Sequence, residues 1–244
     1  MSARLLLPDH EKSALQGAAA ARFSCHTFGS RLSVSDWAAL SYLAGKSELP
    51  GIRLTLLRVE ESFFTGTLLS FGRITGCTAI AVLSGPNTPE APVLGGFCAS
   101  AFVLTLTQSG YASCFLTGGY SKKQLPFTPR SGEVLYALIA LGHPGEKLPG
   151  ARERKSLQKL CAEDPQVWES RFQQAAALVQ LAPSQSNRQP VLMGAGPGRF
   201  WIDSSDKTRL DLGIAICHAE LAFSGPHTWS LSNQRAEPMS LCTF

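Results

Sequence analysis

The sequence predicts an α+β protein, and three observations carry that reading. Helical and strand-like patterns mix along the 244 residues without a strict βαβ rhythm, which disfavours a doubly wound sheet. Charged residues make up only 16% and hydrophobic ones 44%, so much of each element is expected to be buried. The length allows one large domain or two smaller ones.

The elements follow in order. Ser33, with Asp36 three residues on, forms a capping-box pattern, and Trp37, Leu40 and Leu43 continue it at helical spacing. Gly45 is the expected stop of that helix. "TAIAVLSG" (78–85) is a short apolar run closed by turn residues and reads as a buried strand. Residues 91–110 place Leu94, Phe97, Ala101 and Leu104 along a buried helix ending at Gly110, despite the β-branched Val103, Thr105 and Thr107. "ASCFLTGG" (112–119) and "VLYALIALG" (134–142) read as two further buried strands. A polar connector, "HPGEKLPGARERKSLQKL" (143–160), leads to Asp164–Pro165, an N-cap followed by proline at the first helical position. That helix is expected to reach about Leu181, followed by strands at 191–195 and 199–203 and a last helix near 211–223.

Composition narrows the function classes. A formal net charge of +4 is too small for a nucleic-acid footprint, and the one dense basic stretch, "ARERK" (151–155), is too short for a polybasic membrane patch. No run is read as reaching the roughly 18 apolar residues of a membrane span. The apolar part of "MSARLLLPDHEKS" is too short for a secretory signal. Seven cysteines, an odd number with no CxxC pair and no histidine at zinc spacing, point to a reducing compartment without structural disulfides or a metal site. The expected location is cytoplasmic.

Four clusters could carry chemistry. "MGAGPGRF" (193–200) contains G-x-G-x-G, but "RFWIDSS" after it reads as a strand and not a helix, so the glycines make a hairpin turn. In "ARFSCHTF" (21–28), Arg22, Ser24 and His26 alternate and would point to one side of an extended segment, a set suited to a phosphate. A solvated surface strand, with Phe23 and Phe28 packed inward, is the other reading. Arg152, Arg154 and Lys155 in the connector, and the pair Gly118–Gly119 after an apolar strand, likewise admit plain readings as a solvated charge run and a turn. Finally, "LAPSQSNRQP" (181–190) is a stiff, polar corner bracketed by two prolines with no glycine, which presents donors in fixed directions. A faint echo joins the halves: "AALSYLA" (38–44) and "AAALVQLA" (175–182) each lead into a short polar corner and then a strand.

Taken together, the clusters resemble the FMN-dependent nitroreductase family. "RFSCHTF" is similar to its R-x-S-x-R-x-F opening, and "APSQSNRQP" closely resembles its A-P-S-x-x-N-x-Q-P corner. "ALGHPGEK…RERKSL" resembles its strand ending in Gly-His/Tyr-Pro with a basic segment after it, and "LTGGY" falls where the family's backbone approaches the flavin. Ordinary members carry both opening and corner on one short chain, and two chains share each site. Here the opening lies only in the first half and the corner only in the second; "AGKSELPG" (44–51) has lost the corner, and "VWESRF" (167–172) has no opening. The chain is therefore identified as a member of a single-chain, fused-dimer branch.

The resemblance implies a nitroreductase-like α+β fold, with helices around antiparallel or mixed sheets and two pseudo-symmetric halves, residues 1–155 and 156–244, forming one flavin-binding unit. It implies a monomer that is complete as a fused pseudo-dimer. Arg22, Ser24 and His26 would hold the FMN phosphate and ribityl chain, with Arg152 and Arg154 closing on the phosphate. Pro183, Ser184, Asn187 and Gln189 would reach the flavin from the second half, and Gly118 and Gly119 would set backbone donors beside the ring. His26 departs from the family's usual Arg or Lys, and Val191 stands where an aromatic residue is common. No side chain is expected to act as catalytic nucleophile or base, because the cofactor carries hydride from NAD(P)H to a small electron-poor acceptor, a nitroaromatic or quinone. A cofactor-binding protein without turnover, and another flavin reaction such as dehalogenation, remain open alternatives.

Overall fold

The computed structural model describes residues 2–3, 5–64, 74–116, 118–145, 153–205, 207–232 and 239–244. In chain order the elements begin with β1 (Ser2–Ala3), α1 (Asp9–Ala21), α2 (Val34–Ser47), β2 (Arg53–Arg58), β3 (Ala79–Pro86) and α3 (Ala91–Gln108). Next come β4 (Ala112–Leu116), β5 (Glu133–Gly142), α4 (Leu157–Leu160) and α5 (Ser170–Leu181). The chain closes with β6 (Val191–Gly196), β7 (Arg199–Ser204), α6 (Leu210–Glu220), β8 (Thr228–Leu231) and β9 (Ser240–Thr243). The α+β class is as expected, and every paired strand in both sheets is antiparallel.

Two compact units share these elements. The C-terminal unit takes Met1–Ala20, Thr88–Ser100 and Glu153–Phe244, and the middle unit Ala21–Asn87 and Ala101–Arg152. The middle unit runs α2-β2-β3, the end of α3, then β4-β5, with sheet order β2-β3-β5-β4. The C-terminal unit runs α5-β6-β7-α6-β8-β9, and its sheet has the order β1-β8-β9-β7-β6. Strand for strand this is one topology used twice, and the two echoed segments fall in α2 and α5. Each unit has its own core. In the middle unit Phe63, Phe64, Ile80, Val82 and Leu138 pack on one face of the sheet. In the C-terminal unit Phe172, Phe200, Phe223 and Trp229 are buried together.

Several expectations hold in detail. Ser33 accepts the Asp36 N–H while Asp36 accepts the Ser33 N–H, so the capping box is complete. The Thr105 and Thr107 hydroxyls bond back to the carbonyls of Ala101 (2.8 Å) and Val103 (2.9 Å), which lets α3 carry them. Gly110, at φ +82°, then reverses the chain. The glycines of "MGAGPGRF" do form the β6–β7 hairpin, with Gly198 at φ +63°.

Three expectations need correction. The helix over 34–47 runs through Gly45 and stops at Ser47, because Glu48 is extended there and its N–H closes on the Gly45 carbonyl. Asp164 caps only a single 3-10 turn, Pro165–Val167, and α5 starts afresh at Ser170. The break at the extended Trp168 turns its ring into the core, edge-on to Phe200 at 6.2 Å. Lastly, Ala91–Gln108 is long and apolar enough to cross a membrane by length and composition, and 72% of that stretch is buried in the protein, as in a core helix.

Candidate functional site

The corner after α5 is built against the odds of its own backbone. Ser186, Asn187 and Gln189 stand at φ +52°, +55° and +47°, and none is glycine. Each such residue costs about 1–2 kcal/mol, so neighbours must hold the shape. The Gln189 N–H donates to Ser184 Oγ at 2.8 Å, closing the loop on itself. The Gln185 N–H donates to the buried Asp211 carboxylate, 3.1 Å from one oxygen, at the start of α6.

The connector braces the corner from the other side. Arg154 donates from Nη2 to the Leu181 carbonyl (3.1 Å) and from Nη1 to Ala182 O (3.1 Å) and Asn187 Oδ1 (3.0 Å). It thus covers the open carbonyls at the end of α5, where a cation is favoured. Asn187 Nδ2 returns a bond to the Glu153 carbonyl at 3.0 Å. Lys155 grips Gln189 twice, N–H to Oε1 and Nζ to the carbonyl, each at 3.0 Å. The structure therefore brings Arg154, Ser184, Asn187 and Gln189 together, with Pro183 at their edge. Behind Pro183 and Ser184 lies a recess of about 10 Å³, lined also by Val179, Val191 and Asp211, with room for one water molecule.

The other candidates lie in the middle unit. Ser24 bridges Ser113 of β4 in parallel, and the Cys25 N–H donates to the Ser113 carbonyl at 2.9 Å. Cys25 and Phe28 are buried, Arg22, Phe23, Ser24 and His26 are half-buried, and Thr27 is exposed, so burial does not alternate along the segment. His26 Nε2 lies 3.8 Å from Cys114 Sγ of the same strand. Beyond β4 come Gly118, exposed with open space where a β-carbon would stand, and Gly119 at φ +75°. Tyr120 stacks on Phe63, ring centres 5.5 Å apart, which fixes the chain just past them. Arg152 lies outside the described residues.

Sequence reasoning missed the residues that hold these pieces. Asp36 accepts the Tyr111 hydroxyl at 2.8 Å and faces His143 Nε2 at 3.2 Å. Bonds from Ser33, and then from Tyr111 and His143, hold its carboxyl well below the usual range; burial and Asp36 push the Tyr111 phenol up. The His143 carbonyl in turn accepts the Gly29 N–H, and the Gly145 N–H donates to Thr27 O, so the end of β5 clamps the end of the opening segment. A β-carbon on Gly145 would stand 2.6 Å from that Thr27 oxygen. Glu153, Lys155 and Asp211 are the corresponding braces of the corner. The capping pattern at Ser33–Asp36 and the quoted "GHP" were visible signals for the first set; for the corner the basic connector with Arg154 and Lys155 was one, while Glu153 and Asp211 had none.

Chemically the residues offer donors and shape. All seven cysteines are free and buried; burial pushes the Cys25 thiol up and that of Cys77 to about 12, which keeps both protonated at neutral pH. Among the described residues no group of three His, Cys, Asp or Glu side chains could hold a metal ion.

A profile of the family described as "Putative TM nitroreductase" matches residues 40–223, from α2 through α6. A structure described as a putative nitroreductase from Thermotoga maritima MSB8 superposes with a TM-score of 0.66 at 21% identity, covering 94% of this chain and 92% of that one. The likeness shows the fold. A nitroreductase with bound FMN from Desulfitobacterium hafniense DCB-2 reaches a TM-score of 0.45 at 17% identity, covering 57% of this chain and 94% of its own. Another with bound FMN, from Bacteroides fragilis NCTC 9343, reaches 0.45 at 13% identity, covering 58% and 94%. No curated protein matches the chain.

Proposed function

The chain belongs to the family described as putative TM nitroreductases, and on that premise we propose that it is an FMN-dependent oxidoreductase. It would pass hydride from NAD(P)H to a small electron-poor acceptor, a nitroaromatic or a quinone. The observation that carries the reading is the corner at 184–189, with three strained residues, of which Arg154 holds Asn187 and Lys155 holds Gln189. Strain of this kind gathers where a chain segment must face a ligand in one shape.

The residues present suit flavin mononucleotide. A phosphate calls for a cation and hydroxyl donors, which Arg22 and Ser24 supply. A flat ring calls for approachable backbone, which the open Gly118 and the positive-φ Gly119 supply. Ser184 Oγ accepts the Gln189 N–H and keeps its own hydroxyl hydrogen for a further partner.

In this reading Arg22, Ser24 and His26 hold the phosphate and ribityl chain, with Arg152 assigned to the phosphate by resemblance. Gly118 and Gly119 present backbone donors to the ring, and Pro183 and Ser184 are assigned to the flavin by resemblance. Arg154, Asn187 and Gln189 act one step back, since Nη1 and Nη2 of the arginine and both amides bond within the corner and connector. FMN supplies the redox chemistry when bound. The chain's own work is to orient it, to set donors where negative charge gathers, and to shape the acceptor slot. No side chain is assigned as nucleophile or base. The unit works as a monomer, and its seven free thiols suit a reducing, cytoplasmic setting.

The absorption spectrum of the purified protein from about 350 to 500 nm tests the cofactor, on which the chemistry depends. NADH or NADPH oxidation with a nitroaromatic acceptor tests turnover. Colour with turnover supports the reading; colour without it leaves a flavin-binding protein. Protein that is colourless, and stays so after incubation with FMN, overturns it.

A further inference from the structure

A charged cluster in the C-terminal unit takes no part in the proposed reaction and is almost sealed from water. Glu220, at the end of α6, is 0% exposed, and the side chains of Lys12 and His227 are 6% and 2% exposed. Apart from the His227 ring, every partner of the Glu220 carboxylate is a donor. Oε1 receives Lys12 Nζ at 2.8 Å and the Leu7 N–H at 3.4 Å. Oε2 receives His227 Nε2 at 2.7 Å and Trp229 Nε1 at 3.1 Å. Lys12, Leu7 and Trp229 thus donate to the carboxylate whatever the state of His227, the pattern that suits its ionised form.

Against an ionised Glu220, His227 has no neutral form that fits. Its Nε2 faces the carboxylate, and its Nδ1 faces the Gly225 carbonyl oxygen at 2.8 Å. A neutral imidazole has one N–H and one lone pair, so one of those oxygens would meet a lone pair at contact distance. Only the doubly protonated ring satisfies both.

The surroundings complete the charge count. Lys12 Nζ also donates to Asp9 Oδ1 at 2.9 Å and to the Phe223 carbonyl, so its three protons are used. Asp9, whose carboxyl Lys12 holds below its ordinary value, also accepts the Gly225 N–H. Two cations, Lys12 and His227, therefore meet two carboxylates, Asp9 and Glu220. The His227 ring packs on Phe223 and Phe244, and from α5 Arg171 lies over the Phe244 ring at 4.0 Å.

We propose that His227 is a proton-operated latch that seats helix α1 on α6. With both ring protons in place, Glu220 is matched and holds Lys12 of α1. Loss of one proton sets a lone pair against an oxygen, leaves Glu220 with one donor fewer, and loosens the helix. Gln16, whose amide donates to the Leu221 carbonyl at 2.8 Å, and the buried Leu15, Ala18 and Ala19 are the remaining anchors, so the latch grades the seating of α1 without abolishing it. The chain position gives the device a consequence: α1 ends at Ala21, the residue bonded to Arg22.

Amide hydrogen exchange on the whole protein tests it. Protection of the α1 amides, corrected for the intrinsic pH dependence of exchange, is expected to fall about tenfold on raising the pH until the ring has lost its second proton, while the β3–β5 ladder stays unchanged. His227→Gln keeps one donor and cannot carry the charge, so the pH step should vanish in it. An equal step in both proteins, or none in the wild type, overturns the latch. Should His227→Gln fail to fold, nitrogen NMR of the wild-type ring at about pH 6 decides the same point. Two protonated ring nitrogens support the latch, and a neutral tautomer overturns it.

Discussion

The backbones of α3 and α6 meet where Gly213 faces Val93: a β-carbon on Gly213 would stand 1.9 Å from the Val93 carbonyl oxygen. The contact is reciprocal, because a β-carbon on Gly96 would stand 2.1 Å from the Leu210 carbonyl oxygen. Each helix thus admits the other through a missing side chain, among the buried Val93, Phe97, Leu212 and Ile214. The neighbour in each case is backbone and cannot swing aside. Gly213→Ala is therefore expected to destabilise the protein by about 3 kcal/mol or more, read as a lower denaturation midpoint at unchanged slope. A loss under about 1 kcal/mol would mean that the helices separate freely.

Two other helical glycines call for the opposite change. Gly17 in α1 and Gly45 in α2 are exposed, and nothing lies within 4 Å of where a β-carbon would stand. Neither has positive φ, so each carries the entropic cost of glycine and needs none of its freedom. Gly17→Ala and Gly45→Ala should each stabilise by about 0.5–1 kcal/mol, a rise of about 1–4 °C in Tm for a chain of this size. Unchanged melting in both would place the benefit elsewhere, in residual helix of the unfolded chain.

Gly45 also shows where the sequence stops being legible. A glycine after a periodic run reads as a helix end, yet the turn is made by Gly51 at φ +81°, and Gly45 stays helical. The long apolar elements β3, α3 and β5 could be read, because burial on all sides leaves an unbroken run. The short strands β8 and β9 and the alanine-rich α1 could not, since their partners come from distant sequence: β1 pairs with β8, and Lys12 with Glu220. The candidate site divides the same way. Arg22, Ser24, Ser184 and Asn187 were marked by spacing and resemblance. Lys155 and His143 stood in quoted segments, but their bonds to Gln189 and Gly29, like that of Asp211 to the Gln185 N–H, involve backbone atoms of distant partners, which leave no mark in the sequence.

Asp36 should make the middle unit acid-sensitive. Its folded carboxyl is held below its unfolded range, first by the Ser33 hydroxyl and N–H and then by Tyr111 and His143. The folded state therefore binds fewer protons than the unfolded one in that window, and stability rises with pH there. The contribution is complete above the ordinary aspartate value of about 4 and is lost progressively as pH falls below it. Asp36→Asn should flatten the fall of Tm below about pH 4 while leaving its shape above pH 5 alone. Parallel acid limbs in the two proteins would show that other carboxylates govern acid unfolding.

Arg22 is the residue on which the phosphate assignment rests. Arg22→Ala should weaken FMN binding by about 1.5–3 kcal/mol, the scale of a charge-assisted bond lost from a partly buried phosphate. The apoprotein should melt almost as before, and the comparison belongs on apoprotein because bound ligand itself raises Tm. Normal FMN affinity in the variant would make the opening segment a surface strand and nothing more.

The repeated topology makes the number of sites a question with a structural answer. The corner between α5 and β6 has its counterpart between α2 and β2, but there only Gly51 is at positive φ, and Glu48 turns inward to accept the Leu54 N–H at 2.8 Å. No asparagine or serine stands where Asn187 and Ser184 do. The open edges differ as well. β4 is flanked at Ser113 by Ser24, in the segment with Arg22 and His26, whereas its counterpart β8 is flanked by the strand β1. The donors of the corner therefore exist once per chain, and one FMN should bind per chain. Titration of apoprotein followed by flavin fluorescence gives the ratio directly. Two equivalent sites would mean that the topology, and not these side chains, makes the binding surface, and the roles given to Arg22 and Ser184 would fall with it.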